Sequence, residues 1–246
     1  MKIVLGKNLE KGARIFLNVV ALVVMTCFCG CVEDDVTRGN KALQIGDYER
    51  AVENFNKALD QDPAHRDARY GLALSYYAIA ESEEKMNFSS FEKWQRASRE
   101  FEILSKVDRS GKIDANYSTC LFYLARAMMQ RGNSNVIPVL DKSIGLDSLN
   151  FFSYNLKALL LAGQGRTEDA KNIFVYVVTK EPKFGSAYLN LGNIYWGEGD
   201  VESAWDIWSM GHNVLPQDRA LEHWTKVAED SLKVKFSRKA YESRSF

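Results

Sequence analysis

The sequence predicts an all-α fold, an α-solenoid of stacked helix-turn-helix units, and three observations carry that prediction. Four stretches close alike: Gly46-Asp47-Tyr48 to Pro63, Gly132-Asn133 to Asp147-Ser148, Gly165-Arg166 to Pro182, and Gly199-Asp200 to Pro216. In the last two, the glycines and the prolines both stand 34 residues apart, a period that marks stacked two-helix repeats. No segment after residue 35 sustains a two-residue apolar alternation bounded by turn signals, which sets strands aside. An irregular helical bundle has no reason to repeat glycine and proline at a fixed period.

The chain opens with Lys2, Lys7, Lys11 and Arg14 ahead of an apolar run from Ile15 to Phe28. A basic start and a short apolar core fit a secretory signal better than a membrane span. The run ends Phe28-Cys29-Gly30-Cys31 and turns polar at once in Glu33-Asp34-Asp35. This ending resembles the bacterial lipobox, in which a small residue precedes a cysteine that is cleaved before and lipidated. The resemblance implies a signal peptide over 1–30 and lipidation of Cys31; Phe28 and Cys29 depart from the usual pattern. A second reading, an uncleaved N-terminal anchor, stays open because Ile15 to Val32 makes eighteen residues. Val32 after the cysteine is not the aspartate associated with inner-membrane retention, which points to the outer membrane.

The first repeat, about 32–65, carries Gly46, Ala51, Phe55, Ala58 and Pro63 at its key positions. The second, about 66–111, has a recognisable first helix in Leu72-Ala73-x2-Tyr76, but its second helix (Ala97-x3-Phe101) arrives about twelve residues late. The surplus is placed at 81–92, where Glu81 to Lys85 extend the first helix and Ser89-x2-Glu92 reads as a capping box. The third, about 118–149, is one residue short after Gly132 and keeps Leu121, Leu124, Ala125, Met128 and Leu140. The fourth, 151–184, shows Tyr154, Ala158, Leu161, Gly165, Ala170, Phe174 and Pro182. The fifth, 185–218, is the clearest: Tyr188-x2-Leu191-Gly192-x2-Tyr195, Ala204-x3-Trp208, Pro216.

Each position in that last copy has a physical reason. Residues 188, 191, 192 and 195 share one helical face. Gly192 and Ala204 are small where two helices approach, Gly199 suits a left-handed helix end, and Asp200 suits the next N-cap. Pro216 stands beyond the second helix. After it, Leu221, Trp224, Val227, Ala228 and Leu232 recur at helical spacing, predicting a capping helix over 219–236. A basic tail, 237–246, follows.

The fifth copy resembles the tetratricopeptide repeat (TPR) family, whose pattern is W-x2-L-G-x2-Y, A-x3-F, P over 34 residues; Tyr188 stands for the tryptophan. The resemblance covers nearly all of 32–218. It implies a right-handed TPR superhelix of about five repeats plus the C-terminal cap, forming one solenoid over 31–218. It also implies a concave groove lined by the first helix of each repeat, at its second, fifth, ninth, twelfth and thirteenth positions. Carried onto this sequence, the partner-binding groove is Tyr70, Tyr77, Phe122, Arg126, Met129, Asn155, Asn193 and Trp196, with Leu74, Gln130, Leu159 and Leu189 beside them. The lysine–asparagine pair with which chaperone-binding members grip a terminal carboxylate is not matched, since Leu189 precedes Asn193.

Composition excludes several other functions. Removing residues 1–30 leaves 28 basic residues against 31 acidic, with no electrostatic footprint for nucleic acid. Three of the four cysteines sit in the signal region, so no disulfide framework exists, and Cys120 reads as a small buried hydrophobe. His65, His212 and His223 are scattered, and no metal spacing, phosphate loop or nucleophile elbow occurs. The sequence therefore predicts a non-enzymatic protein without metal or cofactor. It is read as a lipid-anchored scaffold or assembly adaptor of the bacterial envelope, facing the periplasm and binding other envelope proteins. The alternative is a periplasmic accessory subunit that docks on a transporter or handles a small hydrophobic ligand.

Overall fold

The computed structural model describes residues 33–86, 89–108, 110–133 and 135–242. The segment containing Cys31 and the proposed signal peptide lies outside them. Eleven helices and no strand occur among the described residues: α1 (Asp35–Gln44), α2 (Tyr48–Gln61), α3 (Arg66–Lys85), α4 (Phe91–Val107), α5 (Gly111–Gln130), α6 (Ile137–Leu146), α7 (Phe151–Gly163), α8 (Thr167–Lys180), α9 (Gly185–Gly197), α10 (Val201–Val214) and α11 (Arg219–Glu242). The fold is an α-solenoid of the TPR type. Two compact units divide inside α3, between Gly71 and Leu72.

The turns explain the period. Gly46, Gly132, Gly165 and Gly199 all adopt positive φ, between 72° and 80°. A side chain would be strained there, so glycine closes α1, α5, α7 and α9, the first helices of four of the five pairs. The chain then re-enters a helix at once. Asp47 and Asp200 accept the backbone N–H of Arg50 and Ser203 at 3.2 and 3.1 Å, which satisfies an otherwise orphaned donor in the first turn. The thiol of Cys120, buried and free, donates to Trp94 O at 3.7 Å. Burial pushes its pKa up, so it is inert rather than nucleophilic.

In the first unit, α1 packs on α2 and Phe55 is fully buried. Its ring fills the space that a Cβ on Gly39 or Gly71 would need, so both positions are held to glycine by one phenylalanine. Ala42, Ala51 and Ala68 complete the close approach.

In the second unit each helix from α4 onwards packs on the next. Ala158, Leu161, Ala170, Phe174, Val177, Ala187 and Leu191 form one core across α7, α8 and α9. Tyr188, Ala204, Trp208, Leu221 and Ala228 form another across α9, α10 and α11. The final helix thus covers the apolar flank of the last pair, and it continues past residue 236 to Glu242.

A cluster of buried polar contacts joins three helices of the second unit. Ser118 and Ser143 exchange hydroxyl-to-carbonyl hydrogen bonds at 2.8 Å each, and the Ser143 and Ser153 hydroxyls meet at 2.7 Å. Asn150 donates to Ser118 Oγ at 2.9 Å and accepts the Ser153 backbone N–H at 3.2 Å. All four residues are buried, and the cluster ties α5, α6 and the start of α7 together. Asn150→Ala removes a helix cap and a buried donor together, so a loss of roughly 1–3 kcal/mol is expected in thermal unfolding. An unchanged melting temperature would show the three hydroxyls re-pairing without it.

The Ser89–Glu92 capping box does not form. The N-cap of α4 is Ser90, with no side-chain cap hydrogen bond. Its hydroxyl turns instead to Glu84 Oε1 at 3.2 Å, on the preceding helix, and Trp94 Nε1 donates to the same oxygen at 2.8 Å. A charged acceptor shared with a buried indole outcompetes a local cap.

Candidate groove on the second unit

The inner faces of α5 and α7 supply the candidate site. On α5, Phe122, Arg126, Met129 and Gln130 recur at three- and four-residue spacing and therefore share one stripe. Tyr123, one position off, points into the core beside Trp94 (centroids 4.8 Å, 9° between planes). On α7, Phe152, Asn155 and Leu156 face the α5 stripe, and together these seven residues enclose an open cleft of about 300 Å³.

Its floor is aromatic and apolar. The Phe122 and Phe152 rings lie 5.8 Å apart, and Phe152 reaches on to Phe184 at 5.2 Å. Phe152 is 61% exposed and Met129 36%, a large apolar surface for a helix to leave open to water. Beneath the floor, Ala125, Val136 and Leu140 hold α5 against α6, with Phe122 and Leu156 packed on them. The cleft is thus supported by a rigid core.

The polar groups are few and placed. The Arg126 guanidinium lies over the Phe122 and Tyr123 rings, 5.8 and 5.4 Å from their centroids, and its Nη1 is 3.9 Å from Glu84 Oε2. Asn155 Oδ1 accepts from Asn190 Nδ2 of α9 at 2.9 Å, which orients the Asn155 amide and leaves it N–H donors.

Of the eight groove residues expected from the sequence, the structure brings four together in this cleft: Phe122, Arg126, Met129 and Asn155. The others lie elsewhere. Tyr70, half-buried, belongs to the first unit. Tyr77 packs inward, edge-on to Trp94 at 4.8 Å, and burial pushes its phenol pKa up. Trp196 joins a tryptophan cluster, 5.8 Å from Trp208 and 6.5 Å from Trp224. Asn193 is exposed on α9. Phe152 was missed, although it occupies the second position of its repeat and the same positional rule selects it.

Among the described residues no group of three or more His, Cys, Asp or Glu side chains could hold a metal ion. No helix there is long and apolar enough to cross a membrane.

Comparison with known proteins agrees with this architecture. A family model for the tetratricopeptide repeat matches residues 36–82 and 155–208, and the TPR assignment of these stretches is supported. Tetratricopeptide repeat protein 6 of Homo sapiens is 26% identical over 204 residues, covering 80% of this chain; the chain spans 35% of that protein's length. Among solved structures, MamA superposes with a TM-score of 0.53 at 19% identity, covering 73% of this chain and 95% of MamA. YrrB, described as a TPR protein with an unusual peptide-binding site, superposes with a TM-score of 0.52 at 19% identity, covering 76% of this chain and 88% of YrrB. Proteins of this repeat and fold are in general interaction modules rather than enzymes.

Proposed function

We propose that this protein is a lipid-anchored interaction scaffold of the bacterial cell envelope that holds a peptide or helix of another envelope protein in the cleft between α5 and α7. The observation that carries the reading is the cleft's composition. Exposed Phe152 and Met129, with one arginine and two amides at the edges, provide an apolar anchor site with groups able to meet a backbone. YrrB, which shares the fold, is described by its own peptide-binding site. The exposure of Phe152 also favours a polypeptide over an enclosed hydrophobic ligand, which would need a covered pocket.

Attachment through Cys31 and an outer-membrane location rest on the N-terminal motif. The small Gly30 before the cysteine and the polar continuation after it support that motif.

The test compares recovery of co-purifying envelope proteins by the full chain and by Phe152→Ala/Arg126→Ala. Loss of roughly 1–3 kcal/mol per site is expected, about five- to a hundredfold each, with little change in melting temperature. Glu53→Ala should capture normally, because Glu53 is an exposed residue of α2 paired with Lys57 and lies outside the cleft lining. Normal capture by the double variant would remove the binding site from this cleft.

A further inference from the structure

We propose that Glu84 sets the ligand chemistry of the groove: by neutralising Arg126, it fits the cleft to an uncharged peptide segment bearing a large apolar side chain and selects against an acidic one. The inference rests on the groove reading above and adds the class of segment bound.

Arg126 is the charged residue among those enclosing the cleft. An arginine at the rim of an apolar groove would ordinarily attract a carboxylate. Here it already has one, because Glu84 Oε2 lies 3.9 Å from its Nη1. Glu84 is not a mobile surface arm. Its other oxygen accepts from Trp94 Nε1 and Ser90 Oγ, and Trp94 is fully buried. Both carboxylate oxygens are therefore committed, one to the core and one to the groove.

The origin of this carboxylate is visible in the chain. Glu84 belongs to the stretch at 81–92 by which the second repeat exceeds the 34-residue period. The extension of α3 to Lys85 carries Glu84 alongside α5. The surplus residues thus do more than lengthen a hairpin, since they deliver the counter-charge for the neighbouring repeat.

The consequence for a partner is electrostatic. An incoming carboxylate would have to share the guanidinium with Glu84, and like charges around one cation oppose each other. A neutral segment meets no such opposition. Its apolar side chain would seat against Phe122 and Phe152, with the amides of Gln130 and Asn155 facing its backbone. The cleft, about 300 Å³, lies at the small end of ligand pockets, on the scale of one or two side chains.

The experiment probes the full chain with an array of twelve-residue peptides made in pairs. One member of each pair carries a single Phe, Leu or Trp in a neutral background. The other is identical except for a Glu beside that residue. Wild type should bind the neutral member of each pair more tightly than the acidic one. Glu84→Gln keeps an oxygen that can accept from Trp94 and removes only the charge, so its melting temperature and tryptophan fluorescence should hold. It should gain roughly five- to tenfold for the acidic members, with neutral binding unchanged, and adding Arg126→Ala should abolish the gain. Equal binding of the two members by wild type, a wild-type preference for the acidic ones, or an unaltered pair preference in Glu84→Gln overturns this inference while leaving the groove in place. Failure of wild type to bind any member, or binding that survives Phe152→Ala undiminished, overturns the groove reading and this inference with it.

Discussion

Trp208→Ala is expected to destabilise the protein by roughly 3–5 kcal/mol, the range for deleting a buried aromatic side chain. The indole is fully buried, lies 5.4 Å from Trp224 and 5.8 Å from Trp196, and donates through Nε1 to Leu189 O at 3.2 Å. Alanine would leave a cavity lined by Tyr188, Leu221 and the small Ala204 and Ala228, plus a carbonyl without its donor. Of the helices around it, α9 and α10 each pack on a helix to either side, which limits their collapse into the space. Urea unfolding should show a lower midpoint with an unchanged slope. A loss below about 1 kcal/mol would mean that the neighbouring tryptophans refill the site.

Gly192 provides an internal check. A Cβ at Gly192 would overlap the Trp208 indole, so Gly192→Ala should cost roughly 1–3 kcal/mol by overpacking. In the Trp208→Ala background that methyl enters vacated space, and the double-mutant cycle should show a favourable coupling. Additive effects would mean that the ring does not set the residue at 192.

Cys31→Ala is expected to act all-or-none on membrane attachment if acylation is the anchor. Labelled palmitate should no longer be incorporated, and the protein should be released from membranes or remain as uncleaved precursor. The two N-terminal readings separate here. An uncleaved apolar anchor would hold the variant in carbonate-washed membranes at its full precursor mass in both wild type and variant, whereas acylation predicts a processed wild type. Undiminished palmitate incorporation in Cys31→Ala would sink the assignment.

Legibility differs sharply between the fold and the groove. The four repeated glycines are the four that adopt positive φ among the described residues, because a helix that must end and reverse in three residues has few other solutions. Ala51, Phe55, Ala158, Phe174, Ala204 and Trp208, singled out by spacing, are all fully buried. The cleft was half legible. Position on the first helix of a repeat selects a stripe, and Phe122, Arg126, Met129 and Asn155 do share a cleft. The same positions also selected Tyr77 and Trp196, whose large rings pack on Trp94 and on Trp208 and Trp224 instead.

The residues whose order along the chain sufficed are those governed by local physics: turn glycines, caps such as Asp47 and Asp200, and small or aromatic positions recurring every 34 residues. Their conformations depend on neighbours within a turn or two, so spacing alone carries them. Tertiary packing alone decided the rest. Ser118, Ser143 and Asn150 meet across up to 32 positions, Asn155 meets Asn190 across 35, and Glu84 reaches Arg126 from another helix. The hydroxyls of a serine or the charge of a glutamate look alike along the chain whether they face water or a buried partner. Only the stacking of one repeat on the next determines which polar groups are desolvated together, and desolvation is what turns the buried ones into a network.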